Sequence, residues 1–239
     1  MFSIIIPTLN EESLIAETIA QFYNIKNKYE IEIIVADSMS TDNTVEIAKR
    51  YTDKVVVYAK SDLCNISKAR NLGALKAKND VLIFLDADII IKDTELFMEK
   101  VINVFKNKRI VATTPKILVD PKKENLSDKV VHSLISLISN ILNSLGFGYS
   151  RGGCQIVKSK YFNKIDGYNE AFIAGEDVDL FRRLRQFGKT SISNNITVYE
   201  SPRRYRKFGY MNVLFNWFMN WFYTLVLKKS FIVFGVPLT

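Results

Sequence analysis

The chain has 239 residues, 48% of them apolar and 24% charged, a balance that excludes wholesale disorder and leaves enough apolar side chains to bury a core. Its formal charge of +8 suits an anionic partner: a nucleotide, a nucleic acid or an acidic membrane surface. The two cysteines, Cys64 and Cys154, have no C-x-x-C spacing and read as reduced thiols of an intracellular protein.

The opening "MFSIIIPTLN" lacks the basic start and the apolar length of a signal peptide. From there to about residue 115, strand-like apolar runs alternate with amphipathic helical stretches. The strands are "FSIIIP", "EIEIIVA", "KVVVYA", "DVLIFLDAD" and "RIVATTP". Between them, "EESLIAETIAQFY", "NTVEIAKRY", "ISKARNLGALKAK" and "TELFMEKVINVFK" carry apolar residues at i, i+3, i+4 and i+7. This alternation predicts an α/β fold, a mostly parallel sheet with helices on both faces. Ligands of such sheets sit beyond the carboxyl ends of the strands. Those ends read "PTLNEE", "DSMSTDNT", "KSDLCNIS" and "DADII", so polar and acidic residues gather at one rim. Asn10 and Asp42 are placed to cap the helices that follow them.

The segment 127–148 puts Val130, Leu134, Leu137, Ile138, Ile141, Leu142 and Leu145 on one helical stripe, with the single histidine, His132, read as a solvated or packed imidazole. A Gly-rich turn, "GFGYSRGGC", leads to a second acidic stretch, "AGEDVDLFRRL". The end of the chain, 211–239, is apolar and aromatic but interrupted by Asn216, Asn220 and Lys228–Lys229. A spanning helix needs about 20 apolar residues, which this run barely supplies. Trp217, Trp221, Tyr223 and the lysines suit a segment lying among lipid headgroups; a core-packing terminal helix is the other reading. The simplest division is one domain over 1–200, followed by a basic stretch and an apolar, aromatic tail over 201–239.

Asp86 and Asp88, two apart at the end of an apolar strand, can direct oxygens toward one hard cation such as Mg2+ or Mn2+. Such ions take one or two carboxylates and complete their shell with water and substrate phosphate. Lys68 and Arg70 lie in the first turns of a helix, where backbone N–H groups also attract anions, and Arg70 with Asn71 would suit a diphosphate. Asp37 ends the second strand, where it would accept from a nucleobase N–H. Glu176 and Asp177 open the second acidic helix, whose later arginines also suit simple pairing with the helix dipole; a partly desolvated carboxylate there would serve as a general base. Gly-rich dinucleotide and P-loop signatures are missing from the sequence.

Five blocks in this order, "SIIIPTLNEE", "IIVADSMSTDNT", "ISKARNLGALKAKNDVLIFLDADI", "GGCQIVKSKYFNKIDGYNE" and "GEDVDLFRRLRQFGK", resemble the family 2 glycosyltransferases, which use the GT-A nucleotide-diphospho-sugar transferase fold. The resemblance implies inverting transfer of a sugar from a nucleotide-sugar with the help of a divalent metal. By motif, Pro7, Thr8, Asn10 and Glu12 would line the nucleotide pocket, Asp37 would contact the base, and Ser40 and Asp42 would lie close to it. Arg70 would face the diphosphate; Asp86 would place nucleotide and metal; Asp88 would be the principal metal ligand. Asp177 would be the general base, with Glu176 beside it near the acceptor. The Q-x-x-R-W block of processive members is replaced by "ESPRRYRKFGY" (200–210), which implies transfer of a single sugar.

The expected partners are a nucleotide-diphosphate sugar, a lipid-linked or other glycan acceptor and the cytoplasmic surface of a membrane, with no nucleic acid among them. Two other readings compete. A sugar-phosphate nucleotidyltransferase would want a Gly-rich basic loop after the first strand, where "PTLNEE" stands. A non-catalytic membrane- or RNA-binding scaffold would have no use for acids at 86, 88 and 177, and idle buried carboxylates are costly.

Overall fold

The five strands expected from the sequence and two further ones form a single seven-stranded sheet in the computed structural model, which describes residues 1–58 and 65–226. Cys64, Lys228 and Lys229 lie outside the described residues. The strands are β1 (Phe2–Thr8), β2 (Ile31–Asp37), β3 (Val55–Val57), β4 (Val81–Leu85), β5 (Ile110–Val119), β6 (Cys154–Lys158) and β7 (Lys189–Glu200), arranged in the order β3-β2-β1-β4-β6-β5-β7. All neighbours run parallel except β6, which is antiparallel to both β4 and β5. The helices are α1 (Ile15–Ala20), α2 (Thr44–Lys49), α3 (Ile66–Ala74), α4 (Thr94–Lys106), α5 (Leu126–Ser144), α6 (Ser159–Lys164), α7 (Glu176–Leu184), α8 (Arg203–Phe208) and α9 (Tyr210–Val226).

Strand alternation divides the core into two layers. Ile4 and Ile6 of β1 join Ile15, Ile19, Phe97 and Val101 from α1 and α4 on one face. Ile5 points the other way and joins Phe84, Phe162, Leu180 and Phe181. On that second face α3 lies close to the sheet, because Gly73 presents no Cβ where one would fall 2.5 Å from Ile5 Cγ2.

β6 and β7 were not among the expected strands. "CQIVK" is short and follows a Gly-rich turn, and "KTSISNNITVYE" interleaves its apolar residues with serine and asparagine. Pro115, where the fifth expected strand ended, sits at a register shift against β7, and the strand continues past it to Val119.

The apolar stripe of α5 faces outward. Val130, Leu134, Leu137, Ile138, Ile141 and Leu145 are each between 49% and 69% exposed. The side buried against the domain carries His132, Ile135, Ser139 and Asn143. These make specific bonds: Ile117 O lies 3.2 Å from His132 Nδ1, and Asn143 Nδ2 donates to Tyr149 O at 2.8 Å. His132 is thus the packed imidazole of the two readings. Burial lowers its pKa, and the Arg151 charge adds to that effect.

α8 and α9 pack onto the domain through a small cluster of Val119, Tyr205 and Val213, with Trp217 against it. Met211, Phe215, Phe218, Phe222 and Val226 on the opposite side of α9 are exposed. Among the described residues, no helix is long and apolar enough to cross a membrane.

Candidate active site

The carboxyl end of β4 delivers Asp86 to the rim, and the start of α7 delivers Glu176 and Asp177 opposite it. Arg70, on α3, joins the two. Its guanidinium donates to Asp86 Oδ1 at 2.8 Å, to Glu176 Oε1 at 2.9 Å and to Gly152 O at 3.0 Å, and it lies 5.3 Å from the centre of the Tyr168 ring. Arg70 itself is 1% exposed. A buried cation of this kind persists only with its charge matched, and two carboxylates do that here while a carbonyl takes a further N–H; Nε alone has no partner among the described residues. Arg70, which is expected to face a diphosphate, lines the cavity with both of its terminal nitrogens bonded to the protein, as a clamp between two acids.

Gly175, whose φ of +79° suits glycine, caps the start of α7, and a Cβ there would collide with Thr224 Oγ1 of α9. The helix's own arginines do not hold the leading acids. Arg182 and Arg183 pair with Asp179, at 2.9 and 2.6 Å, so dipole pairing accounts for Asp179 and leaves Glu176 to Arg70. Burial raises the pKa of Asp177 to about 7, and the neighbouring Glu176 charge pushes the same way. Burial also raises that of Glu176, against the pull of Arg70. Asp177 is therefore a carboxyl poised to change protonation near neutrality, as a general base requires.

Asp88 lies on the same rim. Burial raises its pKa to about 7, with the Asp86 charge adding to the rise. Arg203 Nε stands 3.7 Å from Asp88 Oδ2, while the same guanidinium pairs with Glu11 at 2.6 Å. Among the described residues no group of three or more His, Cys, Asp or Glu side chains could hold a metal ion. Two rim carboxylates that repel each other nonetheless fit a hard cation whose shell is completed by phosphate and water. Asp88 carries the freer oxygens, since Asp86 gives one to Arg70.

These groups line one cavity of about 490 Å³. Asp86, Asp88 and Arg70 stand with Glu176 and Asp177 in its wall; Arg203, Arg204 and Lys207 from α8 add positive charge; α9 contributes Asn216, Trp217 and Trp221. The α9 contribution is what the sequence does not disclose, because a 3.6-residue apolar pattern shows that a stripe exists and not where it faces.

The remaining expected residues form an adjoining network between the loops after β1 and β2. Thr8 and Ser40 donate their hydroxyls to Asp37 Oδ2 at 2.9 and 2.5 Å, and Ser40 N donates to Asp37 Oδ1 at 2.8 Å. Asn10 N donates to Ser40 Oγ at 2.8 Å, and Glu12 N to Asp42 Oδ2 at 3.2 Å. Pro7 is held in register opposite Ala36. Asp37 is fully buried, with two donors on Oδ2 and one on Oδ1, so the expected direct contact with a base requires the groups covering it to move. Asn10 does not cap α1: at φ 56° its amide oxygen accepts from Thr41 N on the neighbouring loop. Asp42 does bond the start of α2, accepting from Thr44 N at 2.9 Å.

The open α/β sheet with a carboxylate rim at its strand ends defines the class. Its fold is that of the GT-A glycosyltransferases: a mannosyltransferase from Pyrobaculum calidifontis, solved in complex with GDP-Man and Mn2+, superposes with a TM-score of 0.75 at 14% identity over 97% of this chain and 65% of its own. A family model described as "Glycosyl transferase family 2" matches residues 3–166, and the chain belongs to that family. A chondroitin synthase of Pasteurella multocida is 28% identical over 220 residues, covering 76% of this chain and 22% of that protein. The O-antigen chain rhamnosyltransferase WbaN of Salmonella anatum is 24% identical over 196 residues, covering 78% and 61%. The chain thus spans less than two thirds of either relative.

Removing Arg70 leaves Asp86 and Glu176 without their shared counter-charge. Arg70→Met should therefore lower unfolding free energy by roughly 3–5 kcal/mol in urea denaturation at pH 7, the range for breaking a buried ion pair from one side. Arg70→Lys should recover little of it, since one ammonium cannot reproduce the fork. A loss under about 1 kcal/mol in both variants, the scale of an exposed pair, would contradict the clamp.

Proposed function

We propose that this chain is an inverting glycosyltransferase that moves one sugar from a nucleotide-diphosphate sugar to a hydroxyl of an acceptor presented at a membrane surface. The observation that carries the reading is the single cavity in which the rim acids Asp86 and Asp88 meet Glu176 and Asp177, in a chain of this family. The network of Pro7, Thr8, Asn10, Glu12, Asp37, Ser40 and Asp42 would take the nucleoside, with Asp37 acting through the hydroxyls it holds. Asp88 and one oxygen of Asp86 would hold Mg2+ or Mn2+, and the mannosyltransferase that shares this fold was solved with Mn2+. Such an ion, when bound, neutralises the charge developing on a departing diphosphate. Arg203, Arg204 and Lys207 would add to that neutralisation from the side.

The acceptor oxygen bonds to the anomeric carbon as the bond from that carbon to the diphosphate oxygen breaks, and the electron pair leaves with the diphosphate. The hydroxyl proton passes to Asp177. Glu176, fixed by Arg70, keeps Asp177 in place and raises its basicity through its charge.

The outward apolar faces of α5 and α9 support the membrane part. Exposed patches of this kind mark interaction surfaces, and the exposed Lys122, Lys123 and Lys129 near the start of α5 suit anionic headgroups. On this reading 1–200 is the catalytic domain and 201–226 both closes the cavity and meets the membrane, on the cytoplasmic side, where the buried free thiol of Cys154 suits a reducing compartment.

With Asp177 titrating near 7, protonation below that pH removes the proton acceptor. kcat/KM for transfer should therefore rise with pH through about 7 and level above it. Asp177→Asn should lower transfer by roughly 10²–10⁴-fold with nucleotide affinity kept; full activity would remove Asp177 from the base role. For the membrane part, Leu137→Gln with Ile138→Gln should leave stability within about 0.5 kcal/mol by urea denaturation, as exposed positions do. The same pair should cut cosedimentation with phosphatidylglycerol vesicles several-fold, and unchanged sedimentation would contradict a membrane-facing α5.

A further inference from the structure

Three segments that take no part in the catalytic cavity meet at the other end of the sheet: 104–109 (VFKNKR), 158–164 (KSKYFNK) and 185–189 (RQFGK). Together they carry eight lysines and arginines and no acid, which equals the formal excess of +8 of the whole chain. The basic residues outside these segments equal the acidic ones in number. Topology gathers the three segments where β4, β5 and β7 begin and the antiparallel β6 ends. Lys158 stands opposite Val81, Val157 opposite Ala112, and Lys189 opposite Ile110, with Lys189 N donating to Arg109 O at 2.7 Å. The chain's positive excess therefore stands at the far end of the sheet from the catalytic rim. Among the described residues none of the eight forms an ion pair, and neither do the bordering acids Asp80 and Asp166. Burial lowers the pKa of Lys158, and the Lys160 charge pushes the same way. Like charges gathered without partners repel one another, and a negative surface laid against them removes that cost.

The side chains select the kind of surface. Each aromatic ring of the patch has an ammonium over it: Lys158 is 5.1 Å from the Phe105 ring centre, Lys160 4.7 Å from Tyr161 and Lys164 5.4 Å from Phe187. Tyr161 and Phe187 also stack on each other at 5.6 Å. No large apolar side chain of these segments is exposed, so the patch offers no platform of the kind on which single-stranded nucleic acids stack their bases. Six of the eight cations are lysines, mobile point charges, where recognition of individual phosphates favours the arginine fork. That composition suits a dense layer of negative charge. The patch also adjoins α5: Arg185 donates to Asn143 O in its last turn at 3.4 Å, beside the exposed Leu145. Lys122, Lys123 and Lys129 stand at its other end. Cations thus bracket the outward apolar stripe of α5, as they flank helices that lie in a membrane interface. We propose that the end of the sheet opposite the catalytic rim is a contact surface for the headgroups of anionic lipids, continuous with the apolar stripe of α5. The inference rests on the membrane part of the reading above and names the lipid class.

The test uses the full chain and two triple variants that lower the net charge equally. Lys160→Gln/Lys164→Gln/Lys189→Gln removes exposed cations of the patch; Lys26→Gln/Lys49→Gln/Arg50→Gln removes exposed cations elsewhere. Each is accepted for comparison on an unchanged urea midpoint. Cosedimentation is measured with vesicles of phosphatidylcholine alone and of equal parts phosphatidylcholine and phosphatidylglycerol, at about 0.1 M and about 0.5 M NaCl. The wild type should favour the phosphatidylglycerol vesicles and lose that preference at the higher salt. The patch variant should lose at least about tenfold in partitioning to them at the lower salt, and the control variant less than about twofold. Equal losses in the two variants, or equal wild-type binding to both vesicles, overturn the patch and leave a membrane-facing α5 standing. A wild type that sediments with neither vesicle overturns the membrane reading beneath it. Fluorescence anisotropy with a labelled single-stranded RNA completes the set. RNA binding lost in the patch variant, with vesicle binding kept, overturns the proposal in favour of nucleic acid.

Discussion

A buried guanidinium holding two carboxylates from opposite sides of the cavity is the constraint on which the rest of the site depends. Arg70 has to be matched, because an uncompensated charge at 1% exposure is not sustainable. Asp86 at a strand end and Glu176 at a helix start supply the match. The consequence is geometric. The carboxylate at the end of β4 and the one at the start of α7 are tied to each other by one planar fork in addition to the segments that carry them. Asp88 and Asp177, each next to or near a clamped acid, stand outside the Arg70 fork with raised pKa values.

A second buried guanidinium, matched by one carboxylate, also lines the cavity. Arg151 donates to Ile117 O at 2.9 Å and to Glu200 Oε1 at 2.7 Å, and Glu200 also accepts from Tyr205 at 2.6 Å. That second buried cation ties the end of β7 to α8, and through Trp217 to α9. α8 and α9 are therefore placed by these contacts together with the apolar cluster of Val119, Tyr205 and Val213, while Met211, Phe215, Phe218, Phe222 and Val226 stay exposed. α5 shows this most plainly, with its bonded, polar face turned inward and its leucines and isoleucines turned to solvent.

Much of the fold was legible because β1, β2 and β4 are apolar runs bounded by polar rim residues, and the period of two is hard to mistake. The acid pair after β4 and the acids opening α7 were legible for a related reason: charges at the ends of apolar elements are out of place unless something uses them. The partner of Arg70 was not, since Glu176 lies 106 residues away and no local pattern links them. Asn10 looked like a cap because caps are local, yet its amide oxygen went to Thr41 across the rim; its left-handed backbone is one that asparagine tolerates, but that preference does not say which neighbour the amide will meet. α5 was recognised as a stripe, but the direction it faces is decided by His132, Ser139 and Asn143, whose partners lie largely on neighbouring segments.

The proposed chemistry turns on the corner between Asp86 and Asp88 receiving a cation together with the diphosphate of an activated sugar. Crystals soaked with Mn2+ and a nucleoside diphosphate, measured at the manganese absorption edge, test it most directly. One strong anomalous peak is expected at the side chain of Asp88, with the diphosphate beside it. A peak elsewhere, or nucleotide bound with that corner bare, would contradict it.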